Sequence, residues 1–344
     1  MRTIFYGTSF FYLLASDSDN HYQRKGDKRM PRLLKHLVPL FVFTLLLSAC
    51  SGTSAKEEAK TKTVRDAYGE VTIPLKPQNM LVTNTSVAES MLELGIIPQK
   101  VLIVKEIEPE YRFKMFEKHK VEMIEVQQYE ENLERILALA PDLIVGPQGS
   151  TDAKRYEALT KIAPTVAIDI GSSLAAALPA IGKMFGKEAE AEKSLAKFNE
   201  KIAEAKQKLQ KAVGEQTVLV LRVEPKQYRA LGAKDLGPGN DIMYHMLGLK
   251  IPEKLADAKD WFTPVSLETL PEIKADHIFV EKRVLQNYSS EQSMKDLENS
   301  PLWKSMEAVK AGRVYPLETK DYIQGEGPVG SALFIDYLVE KLVP

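Results

Sequence analysis

A motif that occurs twice in this 344-residue chain constrains its fold more than any other feature. Residues 132–145 read NLERILALAPDLIV, and residues 266–279 read SLETLPEIKADHIF. Their leucine, glutamate, isoleucine and aspartate positions correspond at one constant offset. Each copy predicts a short helix with apolar residues three apart, a turn at Asp142 or Asp276, and then a buried strand. The chain is therefore expected to contain two related α/β units.

A second pair of similar segments supports the first. Residues 91–98 (MLELGIIP) and 244–252 (YHMLGLKIP) each predict the end of a helix, with a glycine as the stop signal and a proline shortly after it. An apolar strand precedes each segment, at Met80–Val82 in one unit and at Thr217–Leu221 in the other. Strands that alternate with helices predict a mostly parallel sheet in each unit.

The segment between the two units predicts one long helix. Residues 187–212 are rich in alanine, glutamate, lysine, glutamine and leucine, and their apolar residues have helical spacing. Gly214 follows as a stop signal. A coiled-coil dimer is the alternative, but fewer than four heptads between two globular units favours a connecting helix.

The N-terminal region predicts an exported protein. Arg32 and Lys35 precede the apolar run Leu37–Leu47, which is too short for a comfortable membrane span and leads into Leu-Ser-Ala-Cys at 47–50. Cys50 is the only cysteine of the chain, so it has no disulfide partner within it. The pattern resembles the lipobox of bacterial lipoproteins, in which this cysteine is diacylated and becomes the first mature residue. Two acyl chains give stable membrane attachment. An incidental cysteine is the alternative.

Residues 1–29 are interpreted as a start-site extension, because a complete signal begins at Met30 although an apolar patch, Ile4–Ala15, lies ahead of it. Whether translation begins at Met1 or Met30 stays open. Residues 51–62 are mainly Ser, Thr, Ala, Lys and Glu without apolar periodicity, which predicts a flexible tether. The predicted organisation is a start-site extension at 1–29, a signal peptide at 30–49, a tether at 50–63, an N-terminal lobe at 64–172, a helical connector at 173–213 and a C-terminal lobe at 214–344.

Net charge and phosphate-binding motifs exclude several classes of function. Lys and Arg number 46 and Asp and Glu 47, for a net charge of −1, so no basic surplus exists for a nucleic acid. Residues 325–330 (GEGPVG) match the dinucleotide fingerprint, but too little chain follows for the rest of that fold. A turn before the final helix is expected there instead. The loop 235–240 lacks the ending of a Walker motif.

The sequence shows no catalytic constellation. It has neither a Gly-x-Ser-x-Gly elbow nor a candidate catalytic cysteine. The five histidines have no paired spacing, which argues against a metal bound directly by protein side chains. We therefore expect a protein that is not an enzyme. A lipid-anchored extracellular α/β hydrolase is the alternative.

Taken together, the lipobox, the two α/β units, the connecting helix and the 132–145 motif resemble the iron-siderophore, haem and cobalamin class of ABC-transporter substrate-binding proteins. Within this class the chain is most similar to ferric-siderophore binders of Gram-positive bacteria. The resemblance covers Val64–Pro344. It implies an α/β fold of the class III periplasmic-binding-protein type, with two Rossmann-like lobes of mostly parallel sheets joined by one long helix.

The same resemblance implies the function and the partners. The protein would be a monomer anchored by lipid on the extracellular face of the cell membrane. It would bind a ferric siderophore in a shallow cleft between lobes that move little, and deliver it to an ABC permease dimer with a cytoplasmic ATPase. Ferric iron would be carried by its chelator, with no cofactor bound directly. Haem and cobalamin remain alternative ligands of the same class, although no clear axial His or Tyr arrangement favours haem.

Glu134 and Glu268 occupy the same position in the two copies of the repeat. In the family that the chain resembles, the glutamates at these positions dock with arginines of the permease dimer, one per lobe. The alternative is that each glutamate only complements the dipole of a helix N-terminus, which contributes a few tenths of a kcal/mol.

The ligand cleft is expected among the loops at the carboxyl ends of the strands, where ligands of open α/β sheets bind. Arginine forks and tyrosine hydroxyls suit the oxygen groups of an anionic ferric siderophore. The main candidates are Arg222, Tyr228 and Arg229, because they follow a predicted buried strand directly. The full set of predicted ligand-binding residues is Lys105, Arg112, Tyr129, Gln148, Arg222, Tyr228, Arg229, Arg283 and Tyr322.

Overall fold

Two five-stranded sheets and one two-stranded sheet organise the part of the chain that the structure describes. The structure is a computed structural model, and it describes residues 60–127, 132–170, 174–232, 239–283, 289–318, 320 and 326–344. The two-stranded sheet comes first and is an antiparallel hairpin of β1 (Thr61–Arg65) and β2 (Glu70–Pro74). Asp66, in its turn, accepts a hydrogen bond from the amide of Ala167, so the hairpin is attached to the first lobe.

Lobe 1 contains a wholly parallel sheet with the order β5-β4-β3-β6-β7. Strand β3 is central; β4 and β5 then extend the sheet on one side, and β6 and β7 extend it on the other. This order agrees with the predicted Rossmann-like fold. The elements are β3 (Met80–Val82), α1 (Thr85–Glu93), β4 (Lys100–Ile103), α2 (Glu110–Lys118), β5 (Glu122–Glu125), α3 (Leu133–Ala138), β6 (Leu143–Pro147), α4 (Ala153–Thr160) and β7 (Thr165–Ile168).

The connecting helix is confirmed. After α5 (Leu174–Phe185), α6 runs over Glu188–Ala212 and buries Ala191, Phe198, Ala205 and Leu209. Gly214 follows with a φ of +51°, in the left-handed region where a glycine ends a helix without strain. The periodicity, the composition and the stop signal therefore gave the bounds of this helix correctly.

Lobe 2 contains a mixed sheet with the order β10-β9-β8-β11-β12. Strands β8, β11 and β12 are parallel, and β9 is antiparallel to both β8 and β10. The elements are β8 (Val218–Glu224), β9 (Gln227–Leu231), a π-helix (Asp241–Met246), β10 (Phe262–Val265), β11 (His277–Lys282), α7 (Glu291–Asn299), α8 (Pro301–Ser305), α9 (Glu307–Lys310), β12 (Val314–Glu318) and the C-terminal helix α10 (Pro328–Leu342).

The two copies of the repeated motif make equivalent contacts. Asp142 accepts hydrogen bonds from the amides of Gln78 and Asn79, just before β3. Asp276 accepts one from the amide of Thr217, just before β8. Each aspartate therefore fixes the start of the strand that opens its lobe. Gly95 and Gly248, the stop signals of the second pair, have φ values of +73° and +71°.

The copies differ in their helices. The first forms α3, with the Asn132 side chain accepting from the amide of Arg135. The second forms a hydrogen-bonded turn at 266–269 and then a 3₁₀ turn at Leu270–Glu272 instead of the predicted α-helix. Pro271 is the physical reason, because it has no amide hydrogen with which to continue an α-helical hydrogen-bond ladder. Two further 3₁₀ turns lie at Gln148–Ser150 and Glu253–Leu255.

One apolar core runs through both lobes. It joins Val82 of lobe 1, Phe198 of the connecting helix, Val220 and Phe279 of lobe 2, and Phe334 of the C-terminal helix. The C-terminal helix packs along the connecting helix and also touches α1, so it returns from lobe 2 to lobe 1. Smaller apolar clusters cover the other face of each sheet. The two lobes therefore share one apolar interior.

Strand β1 begins at Thr61, which lies inside the range 50–63 that was predicted as a tether. Among the described residues, no helix combines the length and the apolar character that a membrane span needs.

Candidate ligand-binding site

A network of charged side chains lies on one face of the lobe 2 sheet at the carboxyl ends of its strands. Arg222 of β8 is directly opposite Arg229 of β9 and Glu281 of β11 in the strand register. Glu224 lies two residues further along β8, on the same face. Arg283 follows β11. Two arginines directly opposite each other would repel, so the two glutamates are needed to hold this arrangement.

Arg222 lies beneath the site and is not exposed to it. Its Nε donates to Glu281 Oε2 at 2.6 Å and its Nη2 to Glu281 Oε1 at 3.0 Å. The guanidinium carbon lies 3.7 Å from the centroid of the Phe262 ring. Both members of this bidentate pair are buried. The Arg222 guanidinium is therefore bonded to Glu281 and covered by an aromatic ring, and its contact with the ligand stays a prediction.

Tyr228 points away from the network. Its hydroxyl donates to the backbone carbonyl of Ser293 at 2.9 Å, and its ring packs in the apolar cluster on the opposite face of the sheet. Successive side chains of a strand alternate between faces, so Tyr228 and Arg229 cannot both face the same ligand. Tyr228 therefore has a packing role on the opposite face, and its contact with the ligand stays a prediction.

Arg229 and Arg283 are the predicted ligand residues that the structure brings together. Their Nη1 atoms lie 3.8 Å and 3.7 Å from the same atom, Glu224 Oε1. Arg229 also donates from Nε and Nη2 to the carbonyl of Phe262, at 3.2 Å and 2.9 Å. The Arg229 and Arg283 side chains are 32% and 15% exposed, whereas that of Glu224 is 4% exposed. Two partly exposed guanidinium groups thus flank a buried carboxylate.

Arg112 is buried at the carboxyl end of the lobe 1 sheet. Its Nε donates to Glu89 Oε2 at 2.6 Å, and its Nη1 donates to Glu108 Oε1 at 2.9 Å. The hydroxyls of Thr85 and Ser86 accept two more hydrogen bonds, both at 3.0 Å. Although burial alone would lower the pKa of Arg112, the neighbouring carboxylates raise it above its ordinary value. Arg112 thus joins the start of α1 to the segment that precedes α2, and its contact with the ligand stays a prediction.

Glu89 connects lobe 1 to the C-terminal helix. Besides Arg112, its carboxylate accepts from the Tyr111 hydroxyl at 2.8 Å and from the amides of Val329 and Gly330 at 2.6 Å and 3.1 Å. These amides belong to the first turn of the helix, where N–H groups lack intrahelical partners and the dipole favours a negative charge. The helix begins at Pro328, directly after Gly327, where the sequence predicted a turn before the final helix.

The remaining predicted residues divide into two groups. Lys105 and Gln148 are exposed at the carboxyl ends of β4 and β6. Tyr129, Tyr322 and the predicted lipid attachment at Cys50 lie outside the described residues. No group of three or more His, Cys, Asp or Glu side chains that could hold a metal ion is found among the described residues.

Glu134 and Glu268 are both exposed, each at the corresponding point of its lobe. Neither forms an ion pair with a described residue. Glu134 lies in the first turn of α3, beside Leu137, whose side chain is 59% exposed. A hydrogen bond with the Ser266 side chain lowers the pKa of Glu268, so this group is ionised at neutral pH.

Sequence reasoning did not single out Glu224, Glu281, Glu89 or Glu108, which neutralise the arginines. One signal was available for the first two. Glu224 ends the apolar run of β8 and Glu281 nearly ends that of β11, and a carboxylate at the end of an otherwise apolar strand needs a cation nearby when it is buried. No such signal marks Glu89, because the sequence pattern of its helix is equally compatible with a glutamate side chain that faces solvent.

Comparison with known proteins agrees with this architecture. The chain is 32% identical over 329 residues to the iron(3+)-hydroxamate-binding protein FhuD of Bacillus subtilis (strain 168), covering 91% of this chain and 99% of that protein. It is 31% identical over 304 residues to the "Probable siderophore-binding lipoprotein YfiY" of the same organism, covering 83% of this chain and 91% of that protein. The solved structure of Staphylococcus aureus SirA complexed with staphyloferrin B has a TM-score of 0.69 and 27% identity, covering 82% of this chain and 98% of that chain.

The sequence pattern of one family extends over most of the folded region. The periplasmic binding protein family matches residues 82–320, which include the connecting helix, the central strand β8 of lobe 2 and the lobe 2 arginines. This chain therefore belongs to the periplasmic binding protein family.

Proposed function

We propose that this protein is the substrate-binding component of an ABC importer, which captures a ferric siderophore outside the cell membrane and delivers it to a permease. The observation that carries the proposal is the near full-length relationship to a protein named for binding ferric hydroxamate, at 32% identity. The two-lobed fold and the charged network at the carboxyl ends of the lobe 2 strands are consistent with it.

Arg229 and Arg283 are the proposed centre of ligand recognition. Guanidinium groups match the oxygen atoms of carboxylate, catecholate and hydroxamate ligands, and they remain charged at any physiological pH. Lys105 and Gln148 are proposed as contacts from lobe 1, since they lie exposed at the carboxyl ends of two strands. The iron is carried by its chelator, so these side chains recognise the complex and do not coordinate the metal.

The protein is proposed to act without catalysis and to be anchored by lipid at Cys50. A relative at 31% identity is named as a lipoprotein, and the 47–50 sequence has the lipobox pattern. Transport energy would come from the cytoplasmic ATPase of the importer. Glu134 and Glu268 are proposed to contact arginines of the two permease subunits, because an exposed carboxylate without an ion pair among the described residues lies at the same point of each lobe.

Titration of the soluble domain, residues 51–344, with a panel of ligands tests the ligand class. The panel contains ferric hydroxamate, ferric citrate and ferric catecholate complexes, their iron-free forms, haem and cobalamin. The fluorescence of Trp261, which lies beside Arg222, and of Trp303 reports binding, with calorimetry as an independent measurement. We expect tight binding of one ferric complex and weaker binding of its iron-free form.

The same titration distinguishes the alternatives. Tight binding of haem or cobalamin would replace the proposed ligand and leave the transport role in place. A failure of every ferric complex to bind by both methods would contradict siderophore capture. Hydrolysis of generic esters or phosphate esters by the purified domain would favour the extracellular hydrolase.

A further inference from the structure

Glu224 is a buried carboxylate whose one oxygen faces two arginines. Its Oε1 lies 3.8 Å from Arg229 Nη1 and 3.7 Å from Arg283 Nη1. Its Oε2 accepts a hydrogen bond from the Gln227 side chain. With only 4% of its side chain exposed, Glu224 is not accessible to a bound molecule. Apart from the long-range effect of its charge, Glu224 can influence ligand binding only through the two arginines.

The position of Glu224 is fixed by its surroundings. It is the last residue of β8, next to the tight β8–β9 turn, in which Lys226 has a φ of +63°. The amide of Lys226 donates to the Ser293 hydroxyl at 2.9 Å, so α7 anchors the turn. Gln227, opposite Glu224 in the strand register, then donates to the carboxylate. The carboxylate is therefore a fixed point, whereas arginine side chains are long and rotamer-rich.

The charges explain why a fixed carboxylate is needed between the two arginines. Two guanidinium groups close together repel each other, and the repulsion is strong where water is partly excluded. At 3.7 and 3.8 Å the contacts with Glu224 are ion pairs that are longer than hydrogen bonds. The carboxylate thus holds the arginines side by side without using up their N–H groups in short bonds. No hydrogen bond from the Arg283 guanidinium to another described side chain is present.

We propose that Glu224 is a positioning residue that holds Arg229 and Arg283 side by side as a paired recognition element for a ferric complex of net negative charge, of the carboxylate or catecholate type. The inference rests on the proposed function of the same site. Three hydroxamates neutralise ferric iron, whereas three catecholates leave their complex strongly anionic. The pair of arginines therefore favours the second kind of complex over the first.

The test is the affinity of Glu224→Gln for an anionic ferric tris-catecholate, ferric citrate and a neutral ferric tris-hydroxamate. Long-range electrostatics alone predicts that removing a negative charge strengthens the binding of an anion. A positioning role predicts the opposite sign, because the arginines separate when the carboxylate is lost. We expect binding of the anionic complexes to weaken by about tenfold or more, and binding of the neutral complex to change by less than about twofold.

Glu318→Gln is the matched control. Glu318 ends β12 at the same edge of the sheet, but it lies on the other face from Leu317 and hence from the arginine network. This variant removes the same charge without touching the arginines, so its affinity for the anions should be unchanged or slightly higher. Equal or tighter binding of the anionic complexes by Glu224→Gln would overturn the positioning role.

A second variant keeps the proposal testable if Glu224→Gln does not fold. Gln227→Ala leaves every charge in place and removes the hydrogen bond that fixes the carboxylate. Gln227→Ala should also weaken binding of the anionic complexes, by a smaller factor than Glu224→Gln does. Affinities unchanged from those of the wild type would contradict the proposal. If the wild-type protein binds the neutral tris-hydroxamate more tightly than the anionic complexes, the inferred ligand class is wrong while siderophore capture stands. If wild type binds no ferric complex, the proposed function itself fails.

Discussion

His277 is a buried imidazole at the start of β11, with a defined partner for each ring nitrogen. Nε2 lies 2.9 Å from Gln216 Oε1, which can only accept, so Nε2 carries the hydrogen. Nδ1 lies 3.2 Å from the Tyr315 hydroxyl and accepts from it. Burial lowers the pKa of His277 below its ordinary value of 6.5, and the charge of Arg313 lowers it further, against a smaller opposite effect of Asp276. The neutral ring is therefore the form that the fold stabilises.

The pH dependence of stability follows from this shift. Below pH 6.5 the unfolded chain takes up a proton at His277 that the folded protein does not, so the folded state loses stability as the pH falls. We expect the advantage of wild type over His277→Gln in free energy of unfolding to shrink between pH 7.5 and 5.5. Urea unfolding of both proteins at the two pH values measures this difference in free energy of unfolding. A difference that is the same at both would show that His277 does not titrate differently in the two states.

Which single residues lie partly exposed in the charged region could be predicted only in part. Arginines at the ends of apolar strands were a good indication of a charged region, and Arg229 and Arg283 lie together there. The same reasoning selected Arg222 and Arg112, because their sequence contexts are similar. Their burial depends on Glu281 and Glu89, which come from other elements. A pairing across strands or helices is not visible in the local sequence of an arginine.

At the scale of single elements, the start of the C-terminal helix depends on the absence of a side chain at Gly327. A Cβ there would lie within 3.0 Å of three atoms of the Glu89 carboxyl group. Glu89 cannot easily move aside, since it is buried and bonded to Arg112 and to two helix amides. The backbone of Gly327 has a φ of −79°, which any residue can adopt. A glycine is therefore needed there because a side chain has no room, and not because the backbone conformation is unusual.

Gly327→Ala should therefore displace Glu89 and lower the free energy of unfolding by about 1–3 kcal/mol, as overpacking of a tight site typically does. Gly149→Ala is the matched control, because a Cβ there has no atom within 4 Å. Thermal and urea unfolding of both variants would compare them. Two variants of equal stability would contradict the view that Glu89 is held rigidly at the helix start.

Elements were predicted well where several local signals agreed and less well where one residue opposed the pattern. The connecting helix had composition, period and a glycine stop in agreement, and the predicted bounds hold within one residue. The second copy of the repeat was expected to be helical because the first is. A single residue, Pro271, changes it to a turn and a 3₁₀ segment, although the buried positions are kept. Similar burial can thus be reached with different backbone hydrogen bonds.

At the scale of the whole molecule, the repeated motif exposes one acidic side chain per lobe, which we propose as the contact with each subunit of a permease dimer. Glu134→Ala combined with Glu268→Ala should reduce siderophore uptake by cells by about tenfold or more, because each carboxylate would lose a charge-assisted contact with the permease. The affinity of the purified domain for its ligand should not change, since both residues are exposed and unpaired among the described residues. Uptake of labelled iron and the titration described above measure the two quantities.

The control for docking is a second double variant, Glu117→Ala with Glu298→Ala. These glutamates are also exposed, one in each lobe, but they lie outside the repeated motif. Normal uptake is expected for this pair. Impaired uptake in both double variants would indicate a general effect of surface charge, and a parallel loss of ligand affinity in the Glu134/Glu268 variant would refute a separate docking role.

The apolar core passes without interruption from lobe 1 through the connecting helix into lobe 2, so a large rotation of one lobe against the other would disrupt its packing. A binding protein built in this way is not expected to signal that a ligand is bound by a large change in the angle between its lobes. We therefore expect loaded and empty copies to have nearly the same outer shape and to compete for the same binding sites on the proposed permease. The rate of import in a cell would follow the ratio of loaded to empty receptor, and an excess of empty receptor would slow it.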